Sequence, residues 1–111
     1  MNSTSIGRKA EETVAKHLQK EGLKLVAKNW RNRFCEIDLV MTKGDEVYFI
    51  EVKYRSSDKQ GSGFEYITPK KLKQMRFAAE YWISVNDWDG DAILLASEVD
   101  NRGSVQVLEL G

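Results

Sequence analysis

Cysteine is nearly absent from this chain. Cys35 is the single one, so no disulfide can form within the chain. A lone thiol, in a sequence whose opening residues lack an apolar export segment, predicts a reducing, cytoplasmic compartment. Long hydrophobic runs are also absent: stretches such as 47–50 and 92–96 fall far short of the roughly 20 residues that a membrane-spanning helix needs. We therefore expect a cytoplasmic protein without a membrane segment.

Proline is equally scarce. Pro69 is the single one among 111 residues, and no glycine-rich linker or internal repeat divides the sequence. A chain of this length corresponds to one ordinary domain. Hydrophobic residues make up 41% of it, which is enough for one core without disulfides. We predict a single domain over residues 1–111.

An excess of charge of either sign is missing too, because 17 basic residues balance 17 acidic ones. Taken alone, this balance argues against a strongly basic nucleic-acid binder. The charges nevertheless alternate in blocks: residues 1–33 carry +5, residues 34–52 carry −4, residues 53–76 carry +5 and residues 77–111 carry −6. An acidic block between two basic ones suits a cation pocket flanked by phosphate-binding surfaces, although solvated faces of different sign give the same pattern.

Apolar periodicity predicts two helices and five strands. Apolar residues at steps of four indicate the first helix, and Thr68 followed by Pro69 marks the start of the second. The predicted helices cover 5–21 and 69–85, and the predicted strands cover 23–30, 35–41, 47–54, 92–99 and 104–110. Short loops should make the first three strands antiparallel, whereas the crossover through the second helix should return the fourth strand parallel. The predicted fold class is α/β, a mixed β-sheet with helices packed against it.

Three charged residues interrupt the apolar strands. Asp38 lies in the second predicted strand, and Glu51 and Lys53 lie two apart in the third, so the latter two share a face. Alternation predicts two faces for the second strand, with Ile37, Leu39 and Met41 on one and Glu36, Asp38 and Val40 on the other. A charge in such an apolar strand loses hydration and has to be paired or metal-bound.

The turn centred on Gly44 sets the pairing of these two strands. With an even number of loop residues, Asp38 stands directly opposite Glu51. Adjacent carboxylates repel each other unless a cation lies between them, and carboxylate oxygens suit Mg²⁺ or Mn²⁺. The same register places Lys53 opposite Glu36, one step along from the carboxylate pair.

Two interpretations of this cluster are open at this point. A metal with bound water beside Lys53 would form a site for hydrolysing a phosphodiester. An ion-pair ladder among Glu36, Asp38, Glu51 and Lys53 would serve only to set the register of the strands. We favour the metal site, because the acids outnumber the single base.

The helices offer further candidates. Glu11 lies next to the apolar stripe of the first helix and could reach the metal site, although a solvated acid is the more common role there. Lys70, Lys71 and Lys73 lie in the first turn of the second helix, where the helix N-terminus attracts phosphate. A solvated basic face is again the plainer interpretation of these lysines.

The ordered motifs resemble those of the YraN family of small bacterial proteins. Residues 35–40 read Cys-Glu-Ile-Asp-Leu-Val, and residues 49–55 read Phe-Ile-Glu-Val-Lys-Tyr-Arg. They are similar to the Gly-Glu-Ile-Asp-Leu and Val-Glu-Val-Lys-x-Arg stretches of that family, and the likeness extends over about residues 6–85. Cys35 and Ala10 each stand where the family usually has Gly, and neither change removes a candidate ligand.

This resemblance implies a restriction-endonuclease-like core of the PD-(D/E)XK superfamily, similar to archaeal Holliday junction resolvases. It implies a metal-dependent endonuclease that cuts DNA, including branched or recombination and repair intermediates, and a homodimer that makes two cuts. By this likeness the metal ligands are Asp38, Glu51, the carbonyl of Val52 and, as an accessory acid, Glu11, while Lys53 is the catalytic lysine.

Basic residues around these motifs are the predicted nucleic-acid contacts. They are Arg31, Arg33, Arg55, Lys70, Lys71 and Lys73, and Glu36 is assigned an accessory role. Arg55, Lys71 and Glu36 also match positions of the YraN family.

Two other functions compete with the nuclease. A nucleic-acid-binding module that kept the fold without useful catalysis agrees with the net charge of zero. An adaptor protein would use Tyr48, Phe49 and Tyr54 as its interaction surface. Binding of Mn²⁺ that is lost in Asp38→Ala would favour the nuclease over the binding module.

Overall fold

The computed structural model describes residues 3–56 and 64–111. Its elements follow the order α-β-β-β-α-β-β that the sequence predicts, with bounds that differ by only one or two residues. They are α1 (Ser3–Gln19), β1 (Lys24–Arg31), β2 (Glu36–Lys43), β3 (Glu46–Arg55), α2 (Pro69–Asn86), β4 (Asp91–Asp100) and β5 (Val105–Leu110). Over the residues described, neither helix combines the length and the apolar content that crossing a membrane requires.

All five strands form one sheet in chain order, from β1 at one edge to β5 at the other. β1, β2 and β3 pair antiparallel, β3 and β4 pair parallel, and β4 and β5 pair antiparallel. The parallel pair is possible because α2 carries the chain back along the sheet before β4 begins. The prediction of a mixed sheet with a helical crossover is therefore confirmed.

The two helices pack on opposite faces of the sheet. Three residues of the predicted stripe of α1, namely Ala10, Val14 and Leu18, are buried in one core cluster with Leu39, Met41, Ile50, Leu95 and Val99. Trp82 of α2 is buried in a second cluster, where its ring meets that of Phe49 edge to face with centroids 5.5 Å apart. Because β3 sends alternate side chains into the two clusters, it lies at the centre of the molecule.

The start of α2 is capped as the sequence predicts. The side-chain oxygen of Thr68 accepts a hydrogen bond from the amide of Lys71 at 3.1 Å, and Pro69 occupies the first turn. The cap stabilises the first turn of α2, and Lys71 lies in this turn.

The hairpin between β2 and β3 has the predicted register. Lys43 pairs with Glu46 across a two-residue loop, in which Gly44 adopts a φ of +62°, and the pairing continues as far as Leu39 with Ile50. Positive φ is easily adopted by glycine, which explains its presence in this turn. The register is thus confirmed over the hairpin, and the ladder ends one residue short of Asp38.

One prediction about β2 is wrong. Ile37 packs in the cluster beneath α2, whereas Leu39 and Met41 pack in the cluster beneath α1, so these three side chains do not share a face. On the neighbouring strand, Asn29 has a φ of +51° between the paired positions Lys28 and Trp30. A left-handed residue interrupts the two-residue alternation of a strand, and β2 follows the same change of direction.

The predicted adaptor surface is also not present as an exposed patch. Phe49 is 2% exposed. Tyr48 and Tyr54 are half-buried against the α1 cluster, on the other face of the sheet. Alternation along β3 separates Phe49 from both tyrosines, so the three side chains cannot meet a partner together.

Candidate active site

The candidate site lies where β2 and β3 part. An oxygen of the Asp38 carboxylate accepts a hydrogen bond from the backbone amide of Val52 at 2.8 Å. In a continued ladder this amide would bond a carbonyl of β2, so the carboxylate takes the place of a strand partner. The carboxylate of Asp38 is therefore held in the opening between β2 and β3, and its side chain is not free to rotate.

The negative charge of Glu51 acts on Asp38 at this opening. Burial, followed by the negative charge of Glu51, raises the pKa of Asp38 to about 7, although the hydrogen bond from Val52 works in the opposite direction. A buried carboxylate whose ionisation is opposed by a neighbouring negative charge favours a nearby cation. The strand ladder stops at the preceding pair, so Asp38 and Glu51 are not paired in the sheet as predicted, although the charge of Glu51 still acts on Asp38.

Lys71 supplies the positive charge that the structure describes at this site. Its ammonium nitrogen lies 3.0 Å from Oε2 of Glu51, and both side chains are partly buried. The charge of Lys71 also lowers the pKa of Asp38. The sequence favoured a solvated role for this lysine, because helical spacing alone does not reveal that the N-terminus of α2 lies over Glu51.

Glu11 approaches the same opening from α1. Its Oε1 accepts a hydrogen bond from the side-chain amide of Asn29 at 2.9 Å. Burial raises the pKa of Glu11, whereas the hydrogen bond from Asn29 and the charges of Lys28 and Arg8 lower it, and the charge of Glu36 adds a smaller increase. The negative charge of Glu11 also raises the pKa of Asp38. Glu11 and Glu36 line a groove of about 370 Å³ together with Arg31.

Lys53 has a different neighbourhood from the one predicted. Its ammonium nitrogen lies 5.9 Å from the centre of the Tyr66 ring. The predicted pairing with Glu36 is wrong, because the β2–β3 ladder ends at Leu39 and Ile50 and Glu36 instead pairs with Arg31 of β1. Lys53 remains on β3, two residues from Glu51, and its side chain is exposed.

Tyr66 and Glu98 are site neighbours that the sequence analysis missed. The Tyr66 hydroxyl donates to the carbonyl of Ser97 at 3.2 Å, and its ring lies beneath both Lys53 and Arg55. Glu98 is 8% exposed and accepts a hydrogen bond from Nε of Arg55 at 2.9 Å. Glu98 could have been identified in the same way as Asp38, because it too is a charged residue within an apolar strand. Tyr66 precedes α2 outside any periodic segment, so no pattern identified it.

The predicted nucleic-acid contacts separate into groups. Lys70, Lys71 and Lys73 line a groove of about 590 Å³ that also contains Glu36 and Glu51. Arg31 lies in the neighbouring Glu11 groove. Arg33 stacks over the Phe34 ring, with Cζ 5.4 Å from the ring centre. Arg55 faces Glu98 inside the structure and not the lysine groove.

The donor set fits a divalent cation in its chemistry. Asp38 and Glu51 offer carboxylate oxygens, and in an extended strand the carbonyl of Val52 lies on the same edge of β3 as its amide, which Asp38 accepts from. Across residues 3–56 and 64–111, however, no three acidic, histidine or cysteine side chains already stand at ligand spacing. Lys71 is paired with one oxygen of Glu51, so its positive charge would oppose a cation bound by the same carboxylate.

The fold and the site define a class of protein. A mixed sheet of five strands with a helix on each face is compatible with a restriction-endonuclease-like core. The chain belongs to the uncharacterised protein family UPF0102, the YraN family, whose sequence profile matches residues 10–104. The resemblance drawn from the two motifs is thereby confirmed.

Individual relatives carry the same family name. A UPF0102 protein of Nitrosomonas europaea is 39% identical over 86% of this chain and 85% of the relative. One of Parafrankia is 35% identical over 95% of this chain and 92% of the relative. One of Pseudomonas fluorescens is 42% identical over 69% of this chain, and this match spans 64% of the relative, just under two thirds of its length. These similarities establish the family and not an activity.

Proposed function

We propose that this protein is a metal-dependent endonuclease that hydrolyses phosphodiester bonds of DNA, with Mg²⁺ or Mn²⁺ as cofactor. The observation that carries the proposal is the carboxylate of Asp38, held by the Val52 amide where β2 and β3 part and opposed there by the negative charge of Glu51. Burial and mutual repulsion raise the pKa of Asp38 to about 7, which is the electrostatic setting that a hard cation relieves.

The carboxylates of Asp38 and Glu51, with the carbonyl of Val52, would hold the cation. When bound, such a cation activates water and stabilises charge on a phosphate. The hydrogen bond from the Val52 amide fixes the orientation of Asp38, so this ligand is already held in place before a cation binds. Glu11 would serve as an accessory acid on the α1 side.

Lys53 and Lys71 would have different roles in the reaction. Lys53, which is exposed on β3 beside Glu51, would orient the attacking water and assist its deprotonation. Lys71, released from Glu51 when the cation binds, would move its charge to a non-bridging phosphate oxygen. Lys70 and Lys73 would attract the DNA backbone to the groove.

The decisive experiment incubates the purified protein with linear, flapped and four-way DNA and with a matched RNA, in Mg²⁺ or Mn²⁺. We expect cleavage that EDTA abolishes and that falls by roughly 100-fold or more in Asp38→Asn and Lys53→Ala. The matched controls are Asp89→Asn and Lys20→Ala, because both residues are exposed and lie outside the described site contacts. Cleavage at equal rates in wild type and Lys53→Ala would indicate a contaminating nuclease.

One observation favours the second candidate, a DNA-binding module without catalysis. The ion pair between Lys71 and Glu51 compensates Glu51 without any metal. Titration with Mn²⁺, followed by calorimetry, separates the two functions. Saturable binding that disappears in Asp38→Ala favours the nuclease, whereas DNA binding that is indifferent to Mn²⁺ favours the module.

A further inference from the structure

Four aromatic side chains cluster beside the lysine groove. Tyr81 of α2 is central, with its ring centre 6.3 Å from that of Trp30, 6.1 Å from that of Phe34 and 6.1 Å from that of Phe77. Phe34 is 62% exposed and Phe77 is 50% exposed. Two large rings thus contact Tyr81 and keep half or more of their surface exposed, and an exposed apolar cluster of this kind is typical of an interaction surface.

The exposed rings and the lysines belong to one surface. Phe34 and Phe77 line the groove of about 590 Å³ that contains Lys70, Lys73 and Glu51. Lys70, Lys73 and Phe77 follow each other at helical spacing and so share one face of α2. Along this face the ammonium groups precede the aromatic ring, and the groove leads from the rings to the candidate catalytic carboxylate.

We infer that this aromatic surface, defined by Phe34, Phe77 and Tyr81, binds an unpaired nucleobase of a DNA strand whose phosphates follow Lys70 and Lys73. Exposed aromatic rings beside a basic groove match the requirements of single-stranded nucleic acid, since each base offers a flat face for stacking and each phosphate a negative charge. Paired bases are stacked within the duplex and cannot reach such a ring. The inference shares its substrate with the proposed function but does not depend on cleavage.

Charge complementarity favours DNA over a second copy of the chain. Lys70, Lys71 and Lys73 line the same groove as the rings, and Arg33 lies over the Phe34 ring, so basic side chains outnumber acidic ones beside the surface. A copy of the same surface would bring these cations together, and like charges across an interface oppose association. A polyanion with flat bases satisfies both parts of the surface at once.

Fluorescence anisotropy in EDTA tests the inference without cleavage. The probes are a labelled 12-nucleotide single strand, its duplex, and the same strand with abasic central positions. We expect the single strand to bind more tightly than both others. Phe34→Ala and Phe77→Ala should weaken its binding by roughly 5- to 150-fold, the range for one lost base–aromatic stack, and Phe34→Trp should restore it. Neither change should unfold the protein, because both rings are exposed.

Val85→Ala is the matched control, since Val85 is 60% exposed on the same helix but lies outside the aromatic surface. The inference is overturned if the phenylalanine variants bind the single strand like wild type, or if the abasic strand or the duplex binds equally well. It is also overturned if sedimentation shows that the wild-type protein is a dimer and that both alanine variants are monomers. If the single strand binds as expected but no DNA is cleaved, only the proposed nuclease activity is refuted. If DNA is cleaved but the phenylalanine variants bind the single strand like wild type, only the base-stacking inference is refuted.

Discussion

The ammonium of Lys71 lies 3.0 Å from Oε2 of Glu51 and joins the first turn of α2 to the central strand β3. This contact places a cation against a carboxylate that the proposed metal would also need. Lys71 and a divalent ion therefore compete for Glu51. Removing the charge of Lys71 should accordingly change the affinity of the site for the ion in a predictable direction.

Lys71→Met should increase the affinity for Mn²⁺. Loss of one positive charge at a partly exposed site is worth about 1 kcal/mol, which corresponds to a decrease in Kd of about fivefold. Isothermal calorimetry measures this change directly. Lys73→Met is the control, because Lys73 lines the same groove but has no described ion pair with Glu51. Weaker Mn²⁺ binding in Lys71→Met would contradict the competition.

The stability of the metal-free protein should fall as the pH rises from about 4 to about 7. The pKa of Asp38 is raised from 3.8 to about 7 in the folded state, so over this window the folded protein holds a proton that the unfolded chain has released. Stability then declines with pH, and it levels off above the folded pKa.

Asp38→Asn removes this titration. In EDTA we expect the variant to exceed wild type in stability at pH 8 by on the order of 2–4 kcal/mol, with little difference at pH 4. Urea denaturation at both pH values measures the two stabilities. Asp89→Asn, at an exposed turn, should keep the wild-type profile. A parallel fall in stability with pH for wild type and Asp38→Asn would rule out Asp38 as the origin.

Glu11 and Glu12 offer a matched pair on α1. Glu11 accepts a hydrogen bond from Asn29 and acts on the pKa of Asp38, whereas Glu12 is exposed. Glu11→Gln should weaken Mn²⁺ binding by about fivefold, because one negative charge near the cation is lost. Glu12→Gln should leave the Kd unchanged. Equal effects of both variants in calorimetry would show that only the overall charge of α1 matters.

Glu98 should be a stability determinant of the sheet. Its side chain is 10% exposed and faces Nε of Arg55 at 2.9 Å. Glu98→Ala removes the carboxylate opposite a nearly buried guanidinium and should cost about 2–4 kcal/mol of unfolding free energy. Glu98→Gln keeps an acceptor and should cost less. Glu109→Ala, on the exposed strand β5, is the control for urea denaturation, and an equal loss in this variant would refute a special role for the buried pair.

Local sequence signals predicted most of the fold. The apolar stripe of α1, the Thr68 cap and the Gly44 turn all act over a few residues, so their physical causes are contained within the segments themselves. The register of the β2–β3 hairpin followed for the same reason, because a short turn leaves few alternatives. The candidates Asp38 and Glu51 were found because a charge in an apolar strand is costly unless it is compensated.

Long-range packing decided the remainder. The contact of Lys71 with Glu51 depends on where α2 crosses the sheet, and 19 positions of chain separate the two residues. The change of face at Ile37 coincides with the left-handed Asn29 on the neighbouring strand. Neither the ion pair nor the change of face alters the apolar periodicity of the segment in which it occurs, so the sequence pattern could not predict them.

The sequence alone therefore determined the elements, their order, the hairpin register and the unusual charges of β2 and β3, since each follows from local conformational preference or from the cost of burying a charge. Only the tertiary structure decided which groups surround those charges. The reason is geometric: the neighbours come from α1, α2 and β4, and their approach is set by the packing of both helices on the sheet.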